Sequence, residues 1–418
     1  MKIAIVSYFA PPQPAVASHR VLRLTRELLR AGHGVHWVTL DAETLDKRDP
    51  TLVAVTPAEV VVHGLGGPNL VDRDARGFLE KIQRTVIFAL PDWLPVFDRH
   101  IEWSSRLRRR LPGIVREHGI DVVLLCCGPH GQLVAVDALR ARCPRARIVV
   151  DYRDLLSGNT WRQSASVRLR QKVTARERRI LSRVDALFLN NDDAKTSFDR
   201  SMGRIGELPV EVMRNTADYE LGDRIAALGP AVRLGGGIHL GFFGTIFPRR
   251  RMKPVLDAMA ALAPDVLARF TAHVYCDAGG SRTLLEEDLA TVPESVRARV
   301  IRHELLGYGD ALRAMRAMDV LLLVNSPDPA DQIFVPGKLY DYLMARRPVL
   351  FFGEEGDAWR IVAETTGPQW CFTYKGTSEA AQLLTEIASR RPGDTPPSPA
   401  HVPATSFAPL LRLLSRWS

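Results

Sequence analysis

The chain has 418 residues, of which 46% are hydrophobic and 25% are charged. These proportions are typical of a globular protein and exclude a chain that is disordered, collagen-like or coiled-coil throughout. At ~150 residues per domain, the length predicts two to three domains, and a chain of this size buries a core without disulfides or structural metals. The formal net charge is +9.

The positive charge is compatible with nucleic acid, an anionic membrane or a phosphorylated substrate as a partner. The basic residues are 48 arginines and eight lysines, a bias typical of a GC-rich genome, and we therefore expect no nucleic-acid partner.

No apolar run reaches the ~18–20 residues of a membrane-spanning helix. Because residues 1–8 resemble a strand more than a secretory signal, we expect a soluble, cytoplasmic protein.

The cysteines have no CxxC motif and no zinc-ligand spacing. We therefore expect them to be reduced and mostly buried, and we expect no metal site. The five are Cys126, Cys127, Cys143, Cys276 and Cys371.

Short apolar runs alternate with helical stretches along the chain, which predicts an α/β fold with parallel sheets. In the first half, strands are predicted over Ile3–Tyr8, Val35–Leu40, Asp121–Cys127, Arg147–Asp151 and Ala186–Asn190, and helices over Ser18–Leu29 and Gly131–Arg142. In the second half, strands are predicted over Ile238–Phe243, Phe270–Cys276, Arg299–Arg302, Val320–Val324 and Pro348–Phe352, and a helix over Met252–Leu262.

The restart of this pattern predicts two α/β domains, over 1–220 and 238–390. The glycine-rich segment 221–237 has the composition of a linker. After a proline-rich stretch, residues 391–403, the tail Ser406–Trp417 has the pattern of an amphipathic helix. The sequence contains no P-loop, GxGxxG, GxSxG or HExxH motif. Asp151 is interpreted as a structural aspartate in a loop.

The stretch Phe334–Leu350 is the most informative one. A Pro336–Gly337 turn opens a helical segment that begins at Lys338. The first-turn amides, the helix dipole and the lysine ammonium offer donors to a diphosphate. Asp341, about one turn further on, is placed to accept the hydroxyls of a ribose. The alternative is an ordinary helix start with a solvated lysine and aspartate.

Residues 336–349 resemble the helix-opening motif of GT-B glycosyltransferases similar to glycosyltransferase family 4. The resemblance covers nearly the whole chain and includes Tyr8–Pro12, Ser18–Arg20, Leu28–Thr39, Gly128–His130, Val150–Leu155, Leu240–Thr245 and Arg249–Arg251. It implies two Rossmann-like parallel-sheet domains that face each other across a cleft. The first would bind the acceptor and the second the nucleotide-sugar donor, and the C-terminal helix would cross back to the first domain.

The resemblance also implies a retaining transferase that moves a sugar from a nucleotide-diphosphate-sugar to a hydroxyl acceptor, with no metal and no further cofactor. The catalytic candidates are His130 and Asp154, and the acceptor-binding candidates are His19 and Arg20. The donor-binding candidates are Gly244, Thr245, Arg249, Arg250, Arg251, His303, Tyr308, Gly337, Lys338, Leu339 and Asp341.

In one respect the chain departs from the family pattern, which places two acidic residues around this segment with seven residues between them. Asp341 stands at the second position, but the first is Ile333. Asp331 or Gln332 is the alternative contact for the donor sugar. The identity of that sugar and the stereochemical outcome therefore stay open.

Each candidate also has a structural interpretation. His130 either faces the cleft or caps the next helix, and Asp154 either serves the acceptor or pairs with an arginine. The segment Arg249–Arg251 is either a phosphate site or a solvated turn. His19 is alternatively a surface histidine, and Tyr308 an ordinary loop aromatic.

A basic amphipathic patch precedes the third predicted strand. It contains Arg106, Leu107, Arg108, Arg109, Arg110 and Leu111, with Trp93, Phe97 and Trp103 just upstream. Such a patch is either a solvated helix face or a peripheral contact with an anionic bilayer at the inner membrane face. The second interpretation would suit a lipid-linked acceptor.

The acceptor classes that fit are a glycan, a lipid-linked molecule and a small molecule, in glycan, glycolipid, polysaccharide or natural-product biosynthesis. Two other functions also remain open. One is a non-catalytic GT-B protein that binds a nucleotide-sugar, which Ile333 favours. The other is a nucleotide-sugar 2-epimerase, which would need carboxylates around the sugar.

Overall fold

The computed structural model describes residues 1–67, 70–71, 78–89, 97–160 and 166–418. The chain forms two compact units. One contains Met1–Asn215 together with Pro403–Ser418, and the other contains Thr216–Val402.

The first unit is built on a seven-stranded parallel sheet with strand order β3-β2-β1-β4-β5-β6-β7. Its strands are β1 (Lys2–Val6), β2 (Gly34–Leu40), β3 (Val61–Leu65), β4 (Val122–Cys127), β5 (Arg147–Tyr152), β6 (Ala186–Leu189) and β7 (Val210–Val212). Its helices in chain order are α1 (Val16–Arg30), α2 (Pro50–Val55), α3 (Phe78–Phe88), α4 (Ile101–His118), α5 (Ala135–Arg142), α6 (Val167–Leu181) and α7 (Asp192–Met202).

The second unit contains a six-stranded parallel sheet with strand order β10-β9-β8-β11-β12-β13. Its strands are β8 (Ile238–Phe243), β9 (Phe270–Tyr275), β10 (Val300–His303), β11 (Val320–Val324), β12 (Val349–Phe352) and β13 (Cys371–Phe372). Its helices are α8 (Tyr219–Ala226), α9 (Lys253–Ala260), α10 (Pro264–Leu267), α11 (Gly280–Leu289), α12 (Glu294–Arg297), α13 (Tyr308–Ala317), α14 (Lys338–Ala345), α15 (Asp357–Thr365) and α16 (Thr377–Ser389).

In both sheets the strand order reverses once, between β1 and β4 in the first unit and between β8 and β11 in the second. Doubly wound sheets bind ligands outside the carboxyl ends of the strands at such a reversal. The fold therefore directs attention to the loops after β4 and β8.

The chain returns to the first unit through α17 (Pro403–Ser406) and α18 (Ala408–Trp417). Leu410, Leu413 and Leu414 of α18 lie in the same buried cluster as Ile3 and Ile5 of β1. The expected amphipathic C-terminal helix is therefore present, and its apolar face contributes to the core of the first unit.

Every strand predicted from the sequence is present, with ends that differ by at most two residues. The strands that were not predicted, β3, β7 and β13, all lie at sheet edges. Edge strands are short or exposed on one side, and Val61 and Val62 of β3 are exposed. Such strands lack the continuous apolar run that marks a strand buried on both faces.

Three local expectations need correction. Helix α1 begins at Val16, so the predicted first residue, Ser18, lies inside the helix. Residues 221–226 of the expected linker belong to helix α8, and the Leu221 side chain there is buried. Asp151 is structural as expected, but it lies in strand β5 and not in a loop.

The basic patch of α4 exposes most of its charged side chains and buries its apolar ones. Trp103, Leu107 and Leu111 are fully buried, and Phe97 is also buried, whereas Arg108–Arg110 are exposed. These apolar side chains are therefore unavailable to a bilayer. Trp93 lies outside the described residues.

Two further observations concern the cysteines and the helices of the described residues. The five cysteines are free and buried, as expected. Among the described residues, no helix combines the length and the apolar character that crossing a bilayer requires.

A buried ion pair joins α1 to β5. The Arg20 guanidinium donates from Nε and Nη2 to the two carboxylate oxygens of Asp151, at 2.8 Å each. It also donates to the carbonyl oxygens of Met213 and Arg214, at 2.9 and 3.0 Å, and to Oδ1 of Asn215, at 2.9 Å. All of these contacts lie within the first unit. The pair therefore joins α1 to the carboxyl end of the interior strand β5.

We expect the Asp151→Ala variant to be less stable by about 3–5 kcal/mol, because removing one partner leaves a buried guanidinium uncompensated. The measurement is the free energy of unfolding from urea denaturation. As a matched control, Asp199→Ala removes the exposed Lys195–Asp199 pair and should cost less than about 0.5 kcal/mol. Equal losses in the two variants would contradict the structural role of the buried pair.

Candidate functional site

In the second unit, the carboxyl end of β8 meets the start of α14. Gly244 follows β8 with a φ of +109°, a conformation that favours glycine. A Cβ atom built on Gly244 would lie 3.4 Å from Lys338 Nζ. The same Nζ lies 3.9 Å from the centroid of the Phe242 ring. The structure thus brings together Gly244 and Lys338, two residues predicted from different motifs.

Helix α14 is held in this position by a buried tyrosine. The Tyr342 hydroxyl accepts a hydrogen bond from the Phe243 N–H, at 3.0 Å, and donates one to the Leu322 carbonyl, at 3.2 Å. These contacts join α14 to β8 and β11, the two strands at the reversal. Leu339 and Leu343 are also buried, so the helix presents Lys338 from a fixed base.

The environment of Lys338 disfavours its charge. Desolvation, together with the nearby Arg250 guanidinium, lowers the pKa of Lys338 to about 7. An anion placed next to this amine would favour its protonated form and reverse the shift.

The structure separates the three arginines of the predicted phosphate segment. Arg251 pairs with Asp288 and Glu287, at 2.9 and 3.0 Å, and these hydrogen bonds and charges leave the pKa of Arg251 raised despite its burial. Arg249 lies 3.3 Å from each carboxylate oxygen of the buried Asp331. Both side chains are engaged in ion pairs within the protein.

Arg250 has a different environment. Its guanidinium carbon lies 5.8 Å from the centroid of the Phe334 ring, and its charge contributes to the lowered pKa of Lys338. Arg250 is therefore the member of the segment that shares the surroundings of Lys338.

The ion pair between Arg249 and Asp331 also bears on the donor sugar. Because the Asp331 side chain is fully buried and faces Arg249, it is occupied within the protein. Its alternative role as the sugar contact stays a prediction.

A row of stacked rings leads from β8 to His303 at the end of β10. Phe243 stacks on Tyr275 with centroids 4.5 Å apart, and Tyr275 stacks on His303 at 4.2 Å. The Tyr275 hydroxyl is buried and has no hydrogen-bond partner among the described residues. Sequence reasoning missed Tyr275, although an aromatic residue at the carboxyl end of a buried strand is a signal that could have singled it out.

His303 is also the end of a hydrogen-bonded row of imidazoles. Neighbouring rings of His239, His273 and His303 are joined between Nδ1 and Nε2 at 3.0 Å, and His239 Nε2 donates to the Gly235 carbonyl at 3.1 Å. Desolvation lowers the pKa of His273 to about 4, helped by its two histidine neighbours, so this ring is neutral at pH 7. Since His239 Nε2 donates to the Gly235 carbonyl, Nε2 of His273 and of His303 can each donate to the preceding Nδ1, which leaves Nδ1 of His303 as an acceptor.

The remaining donor candidates occupy varied positions. Gly337 is the N-cap residue of α14, and Asp341 is buried in its first turn. Thr245 is exposed in the loop after Gly244, and Leu339 is a core residue. Tyr308 is the buried first residue of α13. The structure thus groups Gly244, Arg250, Gly337 and Lys338 at the start of α14 and places Leu339 in the core.

In the first unit, the loop after β4 lines a cavity of about 210 Å³. The cavity contains both catalytic candidates, His130 and Asp154. Its lining residues are Phe9, Asp98, His100, Gly128, Pro129, His130, Arg153, Asp154 and Asn159.

Two contacts shape this cavity. The buried His130 donates from Nε2 to the Asp154 carbonyl oxygen, at 2.8 Å. Arg153 Nη2 donates to the Gly128 carbonyl at 3.1 Å. Gly128 has a φ of +145°, and a Cβ there would lie 2.3 Å from Arg153 Nη2, so a side chain at this position would displace the arginine. The alternative that His130 caps the next helix is not seen, because the N-cap residue of α5 is Val134 and no side chain caps that helix.

Asp98 is a further charged residue of the cavity that sequence reasoning missed. Burial favours a higher pKa for Asp98, but hydrogen bonds and charge from His100 and the Gly131 N–H outweigh it, and the pKa is lowered. The Gly131 N–H donates to Asp98 at 2.6 Å. The side chain therefore supplies a negative charge beside His130.

The two acceptor candidates do not line this cavity. His19 is a half-buried residue of α1. Arg20 is buried in the ion pair with Asp151, where five hydrogen bonds engage its guanidinium within the protein. For Arg20 the contacts are those of a structural residue.

The sequence matches no protein-family model and no curated protein. Solved structures, in contrast, match along the whole chain. HepE from Anabaena in complex with UDP is 15% identical, with 100% of both chains covered and a TM-score of 0.58. Sucrose-phosphate synthase from Thermosynechococcus elongatus is 13% identical, with 100% of both chains covered and a TM-score of 0.59.

A third match is the UDP-forming trehalose-phosphate synthase from Burkholderia xenovorans, in complex with glucose-6-phosphate. It is 13% identical, covers 99% of this chain and 96% of its own, and has a TM-score of 0.59. The chain has the GT-B fold. The predicted fold class is thereby confirmed, whereas the resemblance to family 4 stays a prediction.

Proposed function

We propose that this chain is a glycosyltransferase that moves a sugar from a nucleotide-diphosphate-sugar to a hydroxyl acceptor. The observation that carries the proposal is the position of the desolvated Lys338 amine, which lies beside Gly244 and close to Arg250 at the start of α14. HepE, which shares the GT-B fold, was crystallised with UDP-glucose, and this supports the same class of donor.

The chemistry of transfer explains why cations belong at this place. When the bond from the sugar to the diphosphate breaks, negative charge grows on the departing diphosphate. Donors that are already in position stabilise this charge more than solvent does. Lys338, Arg250 and the first amides of α14 would supply these donors.

The nucleoside would extend from the diphosphate toward the other candidates of the second unit. Asp341, in the first turn of α14, would accept the ribose hydroxyls. The buried Tyr275 hydroxyl and Nδ1 of His303 are polar groups that would discriminate between bases. Their position in the stacked row next to Gly244 supports this role.

The acceptor would bind in the first unit. The cavity after β4 brings His130 and Asp154 together with Arg153 and Asp98, which gives a polar site of a size suited to a sugar hydroxyl group and its neighbours. Transfer with retention, membership of family 4 and transfer without a catalytic metal ion belong to the same proposal, supported by the motif of residues 336–349. A cytoplasmic location is also part of the proposal.

One observation favours the rival function of a non-catalytic nucleotide-sugar-binding protein. Ile333, at the first acidic position of the family pattern, lies in the turn Pro329–Ile333 just before α14. A protein of this kind would bind the donor and transfer no sugar. Release of nucleoside diphosphate in the presence of an acceptor separates the two functions.

The Lys338→Met variant should bind UDP about 10–100-fold more weakly, because a charge-assisted hydrogen bond is worth about 1.5–3 kcal/mol. Its melting temperature should rise, since a desolvated amine is replaced by an apolar side chain of similar length. Titration calorimetry and thermal melting measure the two effects. The matched control is Lys375→Met, at an exposed lysine of the same unit, which should keep the wild-type affinity.

The lowered pKa of Lys338 also predicts a pH dependence. The amine is protonated below pH 7 and loses its charge as the pH rises through about 7, so UDP affinity should fall between pH 6.5 and about 8.5. In Lys338→Arg the charge persists over this range, and the fall should be smaller. An identical pH profile in the two proteins would argue against contact between Lys338 and the diphosphate.

The Asp341→Asn variant tests the ribose contact. We expect its affinity for the ribonucleoside diphosphate to fall by about tenfold, the cost of a charged hydrogen bond. The 2′-deoxy analogue, which lacks one of the two hydroxyls, should lose less. Calorimetry on both ligands measures the difference, and equal losses would reject the ribose role.

We further propose that the first unit contacts an anionic bilayer through α3 and not through the basic patch of α4. On α3, Phe78, Leu79 and Val86 are exposed by 77%, 74% and 58%. Lys81 and Arg84 lie on the same helix. Exposed apolar side chains next to basic ones are typical of helices that lie in a membrane interface, and this location would suit a lipid-linked acceptor.

Sedimentation with vesicles measures this contact. Wild-type protein should sediment with vesicles that contain phosphatidylglycerol, and the Phe78→Ser/Leu79→Ser variant should not. The control replaces Arg108, Arg109 and Arg110 by glutamine and should sediment like the wild type. The opposite pattern would return the contact to α4, and no sedimentation of the wild type would exclude it.

A further inference from the structure

Three histidines of the first unit lie together away from the cavity that contains His130. They are His36 on β2, His63 on the edge strand β3, and His118, the last residue of α4. One ligand nitrogen from each ring lies within 4.8 Å of the others. His36 is buried and the other two are half-buried, so the cluster is shielded on one side and open to solvent on the other.

The fold explains why the three rings meet. In the β2–β3 pair, His36 is opposite Val61 and His63 is opposite Val38. His36 and His63 are therefore diagonal neighbours on the same face of the sheet. Helix α4 ends above this face, where Gly119 stops the helix with a φ of +60°. The Lys2 ammonium donates to the His118 carbonyl at 3.0 Å and fixes the helix end.

The ring geometry is close to that of a metal site. His36 Nδ1 lies 3.0 Å from His63 Nε2, and the centroids of His63 and His118 are 4.5 Å apart. A tetrahedral zinc ion holds imidazole nitrogens at about 2.0–2.1 Å, which places two ligand nitrogens about 3.3 Å apart. Small side-chain rotations therefore bring all three nitrogens to ligand distance.

We propose that His36, His63 and His118 bind a Zn²⁺ ion that fastens the edge strand β3 and the end of α4 to β2. Three neutral imidazoles are a common ligand set for zinc, with a fourth position left for water. The site uses no residue of the proposed donor and acceptor sites. We assign it a structural function because the ion would join three separate elements of the first unit. Sequence reasoning missed it because the ligands are far apart in the chain and follow no zinc-ligand spacing.

The charges around the cluster are mixed. Desolvation and the neighbouring imidazoles lower the pKa of His36 and His63. Lys2 contributes to the shift of His36, and Glu117 opposes the shift of His63. One of these two rings donates the hydrogen of the His36–His63 contact. On zinc binding, that ring carries its hydrogen on the other nitrogen, so both nitrogens of the contact coordinate the ion.

The experiment is a titration of the EDTA-treated, dialysed full-length protein with Zn²⁺ in a calorimeter. We expect one ion per chain and a higher melting temperature for the zinc-bound protein. Titration with Co²⁺ should give the visible absorption of a tetrahedral cobalt site, a signature that does not depend on any variant. Absence of stoichiometric Zn²⁺ binding to the wild type would overturn the proposal.

The variants His63→Gln and His118→Gln should each bind Zn²⁺ at least tenfold more weakly. The matched control is His33→Gln, at a half-buried histidine in the turn before β2, which should bind like the wild type. Equal affinity in all three variants would show that the ion binds elsewhere. UDP affinity should be the same with and without Zn²⁺, so the outcome is independent of the proposed sugar transfer.

Discussion

The arrangement of the second unit depends on the buried Tyr342 hydroxyl. It accepts from the Phe243 N–H and donates to the Leu322 carbonyl, so one side chain joins α14 to the two strands at which the sheet order reverses. A buried polar group without a partner is costly, and this cost makes the docking of the helix specific. Lys338, at the start of the same helix, lies beside Gly244.

The arginines of this chain differ in the groups that they contact. Arg20 faces Asp151 in the core, and Arg251 faces Asp288 and Glu287. A buried guanidinium requires a carboxylate nearby, because an isolated charge is poorly solvated there. Arg250 shares the surroundings of Lys338, and its charge contributes to the lowered pKa of that amine. An anion bound at this place would interact favourably with both cations.

Histidines cluster in both units, with different chemical consequences. In the second unit, the row from His239 to His303 starts at the Gly235 carbonyl, which accepts from His239. The middle ring, His273, has a hydrogen-bonding neighbour at each of its nitrogens. In the first unit, the cluster of His36, His63 and His118 presents three nitrogens toward one another. The first arrangement pairs the Nε2 atoms within the protein and leaves Nδ1 of His303 as an acceptor, whereas the second has the geometry of a metal site.

The sequence by itself determined the parallel α/β architecture and the two sheets, because strands buried on both faces leave continuous apolar runs. It also identified the turn before Lys338, since a Pro-Gly turn, a lysine and an aspartate are local features. Only the tertiary structure decided the edge strands, the burial of Trp103 and Leu107, and the separation of Arg250 from Arg249 and Arg251. Tyr275, Asp98 and the three-histidine cluster also required it. These features depend on contacts between residues that are distant in the chain, and such contacts leave no periodic pattern in the sequence.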